Sequence, residues 1–157
     1  YPAFTAAIRI LSDRLYEELH TRRNLATDPG AGFAQRTANH GYIHLTTSKP
    51  DSTVMVIFQT LDQMILEPIP ETWLKQALAT SVTRHLLENE SALNQLAQLA
   101  MWEIVGEDWE QAEQYLPELR SLRPADIQAM MRKYARNFHF GVVGNPRRVN
   151  ERLFTSR

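Results

Sequence analysis

The side chains best equipped for chemistry are five histidines and the acids near them. His85-Leu86-Leu87-Glu88 is half of a zinc-helix motif. In the full inverted motif, His-x-x-Glu-His, both histidines bind zinc and the glutamate activates water. Here the fifth residue is Asn89. One imidazole and one carboxylate fall short of the three protein ligands of a catalytic zinc, so the pair reads as a helix-surface contact. Of the functional readings, an independent hydrolase built on His85 and Glu88 has the least support.

His40 and His44 also stand four apart. The residues between them, Gly41-Tyr42-Ile43, read as strand, where even spacing puts both histidines on one face. That face also carries Tyr42 and Thr46 and lies opposite Ile43 and Leu45, so exposure to water explains it better than a metal. His20 and His139 have no partner nearby in sequence. Ser81, Ser91 and the threonines lack a nucleophile-elbow context, and Gly30-Ala31-Gly32 is too short for a phosphate loop. No catalytic or metal-ligating residue is assigned from the residues alone.

Composition narrows the field further. The chain has 157 residues, no cysteine, 17 Lys+Arg and 18 Asp+Glu. Without cysteine there is no disulfide scaffold, thiolate zinc site, iron–sulfur cluster or cysteine nucleophile. A formal net charge of −1 lacks the basic excess of a nucleic-acid binder. No apolar run approaches the roughly 18 residues of a membrane span. The chain opens on Tyr1-Pro2-Ala3-Phe4 with no signal-peptide pattern, which reads as an excised domain. Periplasm and cytoplasm both fit, so the compartment is not fixed.

The elements that must position any site follow from periodicity. Phe4, Ile8, Leu11, Leu15 and Leu19 form one stripe on a helix of about five turns. Leu25 to Gln35, with Asp28-Pro29-Gly30, reads as an extended segment with a bulge or turn. Gly41 to Thr47 alternates as a half-buried strand, paired most simply with the preceding one. Pro50-Asp51-Ser52 starts a helix with Val54, Ile57, Phe58, Leu61 and Ile65 inward. Pro68 and Pro70 break the chain. A helix over 71–87 then presents Leu74, Leu78, Val82 and Leu86, with His85 at its border. Another runs from Ser91 with Leu93, Leu96, Ala97 and Ala100 inward, ending at Gly106. Trp109 to Leu116 predicts a short helix before Pro117. Pro124 opens a helix with Ile127, Met130, Met131 and Tyr134 inward. Phe138, Phe140 and Val142 alternate in a closing strand.

Strands and helices that do not alternate as βαβ units predict an α+β fold: one domain over residues 1–157, a mostly antiparallel sheet with helices packed on one face. Charge is uneven along it. Residues 101–119 hold six acids and no base, whereas 120–157 hold nine bases and two acids. Solvated helix faces account for most such runs.

Several segments together resemble one family. Leu11-Ser12-Asp13-Arg14-Leu15-Tyr16-Glu17-Glu18-Leu19 followed by Arg22-Arg23-Asn24-Leu25-Ala26 resembles the helix-to-strand junction of the insulinase/pitrilysin (inverzincin) zinc metallopeptidases. Arg123-Pro124-Ala125-Asp126-Ile127 and Phe140-Gly141-Val142-Val143-Gly144 stand where that family has its last helix and last strand. The order and spacing of these segments carry the resemblance, over nearly the whole chain.

Lacking His-x-x-Glu-His, the chain resembles the family's non-catalytic module, often labelled the inactive domain. The resemblance implies a domain that helps form a closed peptide-holding chamber, with zinc in a partner domain on the same or another chain. It implies no activity from this chain alone. It also implies a strand ahead of the first helix, which this sequence lacks. The module usually contributes an arginine and a tyrosine, seven residues apart, to hold the peptide backbone and stabilise the oxyanion. The matching positions are His20 and Thr27, and both depart from the pattern. A histidine is charged only part of the time near neutral pH, and a threonine hydroxyl reaches less far than a phenol. Arg22 and Arg23 are adjacent cations in a place to compensate, Arg23 being equally suited to a structural role. The substrate-binding expectation is therefore His20, Arg23 and Thr27. The alternative is a degenerate structural module retained for assembly without substrate contact.

Overall fold

The computed structural model describes residues 1–34, 40–106 and 108–155. It is built on helix α1 (Pro2–Leu15), which continues without a break into a wider π-helical stretch, Tyr16–Arg22. Pro2 sits in the first turn, where its missing N–H costs nothing. Ala6, Ala7, Ile10, Leu11, Leu15 and Leu19 are buried along this rod. Phe4 and Ile8, the outer members of the expected stripe, are half-buried.

The rod ends at Asn24, which takes a left-handed conformation with φ 48°. Asparagine tolerates this better than most residues. The Asn24 N–H donates to the His20 C=O at 3.2 Å, and the Leu25 N–H to the Leu19 C=O at 2.7 Å. These bonds occupy carbonyls that the helix end would otherwise leave open.

Strands β1 (Ala26–Ala34) and β2 (His40–Thr47) follow and pair antiparallel. Between Thr27↔Thr46 and Gly30↔His44 the register slips by one residue, so Asp28 and Pro29 together oppose Leu45. This is the expected bulge, with Asp28 at φ 51°. Proline is tolerated there because a bulge leaves one backbone group outside the ladder. Ala31, Ile43 and Leu45 face the core. Tyr42, His44 and Thr46 lie exposed on the other face, as their alternation predicts. The Ala31 N–H donates to Ser12 Oγ at 3.1 Å and ties β1 to α1.

Five longer helices complete the core: α2 (Pro50–Leu66), α3 (Glu71–Glu88), α4 (Ala92–Gly106), α5 (Gln111–Ser121) and α6 (Pro124–Tyr134). A 3₁₀ turn (Pro146–Arg148) and α7 (Arg152–Thr155) close the chain. Helix α6 clamps the end of α2: Gln128 Nε2 donates to the Glu67 C=O at 2.8 Å and Arg132 Nε to the Ile65 C=O at 3.0 Å. The fold is α+β, a two-stranded antiparallel sheet with helices against one face.

Three sequence expectations change. Residues 138–143 enter no strand pairing among the described residues. Alternation alone makes a chain extended, whereas a strand also needs a neighbouring backbone. Helix α5 runs through Pro117 to Ser121 instead of stopping before it. Tyr115 and Leu119, four apart and both buried, hold the helix across the proline. Finally, the inward faces of α3 and α4 differ from their apolar patterns. In α3 Leu74 is buried and Leu78 and Val82 pack half-buried against the core as expected, Ala77 and Ser81 are buried beside them, and only Leu86 departs by being exposed. Leu93, Leu96, Ala97 and Ala100 of α4 are all exposed; among the described side chains of α4, Trp102 is the one that packs against the core.

Candidate functional site

The junction between the π-helical stretch and β1 brings His20 to Ala26 and leaves Thr27 beside them on the sheet's outer face. A π turn inserts an extra residue per ring, re-aims the side chains that follow it, and is frequent at functional sites. Here the stretch carries His20 past the packed stripe while Leu19 stays fully buried. His20 Nδ1–H donates to the Ala26 C=O at 3.1 Å. Since that nitrogen is the donor, the neutral ring offers only an acceptor at Nε2, and Nε2 donates only when the ring is protonated. Toward a peptide, neutral His20 can therefore accept from a backbone N–H but cannot serve a carbonyl oxygen.

Thr27 is exposed and pairs across the ladder with Thr46. The His20 ring points toward the extended segment and stops at Ala26. Arg23 donates to the Glu18 carboxylate, and its Nη1 lies 3.4 Å from the Glu18 C=O. Arg22 reaches Glu17 at 3.3 Å and the same Glu18 at 2.9 Å. Both arginines are thus held locally by acids one turn back.

Two features at the junction escaped the sequence reading. Tyr16 stacks on His20 with ring centroids 4.8 Å apart and is exposed. Their spacing of four residues was the available signal. Thr47, at the end of β2, donates to the Leu25 C=O at 2.7 Å and lies 2.9 Å from the Thr53 hydroxyl. This fixes the strand entrance to the start of α2. No spacing rule links positions so far apart.

His85 sits elsewhere, on α3, with its ring 4.9 Å from that of Tyr115. Burial holds its pKa below the usual histidine value, against the opposing pull of Glu88. Burial also raises both Tyr1 and Tyr115, which pack beside each other at 5.9 Å. His40 and His44 are both exposed on β2. Among the described residues, no group of three or more histidine or acidic side chains comes together to hold a metal. An open hollow of about 280 Å³ lies at the start of α2, lined by Ser48, Lys49, Pro50, Asp51, Ser52 and Arg148. It includes none of His20, Arg23 and Thr27. No described helix is long and apolar enough to cross a membrane.

By sequence, no family model and no curated protein matches the chain. By structure, a protease from Helicobacter pylori superposes with a TM-score of 0.74 at 17% identity, over 86% of this chain and 34% of that one. A peptidase M16 inactive domain from Pseudomonas fluorescens superposes with a TM-score of 0.72 at 20% identity, over 85% of this chain and 33% of that one. The fold is similar to that of a peptidase M16 inactive domain. The chain spans about a third of the length of each of these neighbours.

Proposed function

We propose that this chain is the non-catalytic domain of an insulinase- or pitrilysin-like zinc peptidase. On this reading it helps to enclose an extended peptide beside a zinc-bearing domain of the same family, in the same chain or in another. The observation that carries the reading is the fold's likeness to an M16 inactive domain. Zinc and the water-activating glutamate then belong to the partner. This chain's part is to hold the peptide, with His20 and Thr27 touching its backbone. Main-chain hydrogen bonding gives affinity with little sequence preference, which suits a peptidase of unfolded peptides.

A specific observation favours the alternative, a degenerate module kept for assembly. The donors at the junction are already engaged: His20 by Ala26, and Arg23 by Glu18. Coproduction with a His-x-x-Glu-His-bearing domain, encoded in the same or a neighbouring reading frame, separates the two. The double variant His20→Arg/Thr27→Tyr supplies both missing donors. Turnover of an unfolded peptide should rise on the order of tenfold or more, the scale of one recovered oxyanion donor. Unchanged turnover and peptide affinity in a folded, assembled double variant would select the structural module.

A further inference from the structure

The apolar stripe of α4 faces away from the domain. At about 3.6 residues per turn, Leu93, Leu96, Ala97, Ala100 and Ile104 fall on one side of the helix. Trp102 stands on the opposite side, half-buried, with its ring 5.4 Å from that of Tyr1. Leu93, Leu96 and Ile104 are 74%, 64% and 76% exposed, and the two alanines are exposed between them. The helix rests on the domain by its back and turns its most apolar side to water.

Both ends of α4 are tied in this orientation. The Asn94 N–H donates to Ser91 Oγ at 3.2 Å, and Gln95 Nε2 donates to the Asn89 C=O at 2.8 Å. At the far end the Trp109 N–H donates to the Glu103 carboxylate at 3.2 Å. A contiguous apolar face rimmed by polar residues marks a surface that another element covers. The small side chains of Ala97 and Ala100 let a second helix come close between the leucines and Ile104.

Charge decides what fits it. From His85 to Leu119 the chain carries eight acids and no lysine or arginine. Glu88 and Glu90 precede α4, Glu103 lies beside the stripe, and Glu110 and Glu113 follow; all five are exposed. None of them forms an ion pair among the described residues. A second copy laid on the same face would set acids against acids in either orientation, because both ends of α4 are acidic, and like charges across an interface oppose association. Cations at the ends of an incoming helix would instead meet carboxylates at both. We propose that the outer face of α4 docks an amphipathic helix of a partner polypeptide, its apolar side against Leu93, Leu96 and Ile104 and lysines or arginines at its ends. Helix-on-face recognition of this kind reads apolar anchors three and four residues apart. Docking here is independent of the peptidase reading.

The test uses the 157-residue chain labelled with ¹⁵N. The probe is a capped helical peptide with leucines three and four apart on one face and two lysines at each end; a second peptide carries glutamates instead. The lysine peptide should slow amide exchange in α4 about tenfold or more and leave β1 and β2 unchanged. The glutamate peptide should bind about tenfold more weakly, and Glu90→Lys/Glu110→Lys should reverse that order. Leu93→Gln/Ile104→Gln changes two side chains that already face water, so it should fold as wild type and bind the lysine peptide about tenfold more weakly. The proposal is overturned by no slowing at millimolar lysine peptide, by equal binding of the two peptides, or by protection confined to elements other than α4. A dimer of the free chain, seen by sedimentation and lost in Leu93→Gln/Ile104→Gln, would assign the face to a second copy and overturn it as well.

Discussion

The Tyr42 ring lies over Gly32 on the neighbouring strand, filling the space that a β-carbon there would need. His44 does the same over Gly30, its Cε1 only 2.8 Å from the would-be β-carbon. The two glycines of β1 are thus paired with two cross-strand rings, which explains why so glycine-rich a segment forms a strand at all.

Gly32→Ala should cost about 1 kcal/mol in wild type, because Tyr42 is displaced from its seat. In a Tyr42→Ala background the same change should be neutral or stabilising by about 0.5 kcal/mol, since alanine loses less chain entropy than glycine. A double-mutant cycle in urea measures the difference; additive effects would show that the ring does not rest on the glycine.

His85 should make stability fall on mild acidification. Its folded pKa is held below the usual value of 6.5, mainly by burial. The unfolded chain then binds more protons, so stability rises with pH. The contribution is complete above the unfolded value and is lost as pH drops through the interval down to the lowered folded value. Thermal melts from about pH 7.5 to about 5.5 should show a steeper loss in wild type than in His85→Gln, and parallel profiles would contradict this.

Two leucines should behave oppositely. Leu19 is 0% exposed and Leu93 is 74% exposed. Leu19→Ala should cost about 2–5 kcal/mol, and Leu93→Ala should stay within about 0.5 kcal/mol of wild type. Chemical denaturation of both variants reads this directly.

Asn24 should tolerate only glycine. With φ at 48°, Asn24→Gly should be close to neutral and Asn24→Ala should lose about 1 kcal/mol. If alanine is as stable as asparagine, the helix end does not depend on the left-handed turn.

Zinc should not be retained by this chain alone. Equilibrium dialysis at micromolar zinc is expected to leave no bound equivalent, since among the described residues the histidines do not gather with acids into three ligands. One equivalent lost on His85→Ala would reinstate the half-motif.

Much of the fold was legible because burial and periodicity agree where elements are sandwiched. Leu11, Leu15 and Leu19, the β2 alternation and Ile127 with Met131 all behave this way. The pattern misled where an apolar stripe has no second layer to meet, as in α4, and where extension lacks a neighbour, as at 138–143. Pro117 shows the reverse: a local breaker overridden by buried residues on both sides. At the junction, His20 could be singled out through the family resemblance. The acceptor that captures its Nδ1 could not, because the π-helical widening leaves no trace in residue spacing.

Helix α4 also sets how the domain comes apart. None of its described side chains is buried, and Trp102 is its foothold on the core. A helix of 15 residues has only marginal stability by itself in water. It therefore belongs to a separate cooperative unit that opens at lower free energy than the α1–sheet–α6 body. Proteases that act through local opening will find α4 available before that body unfolds.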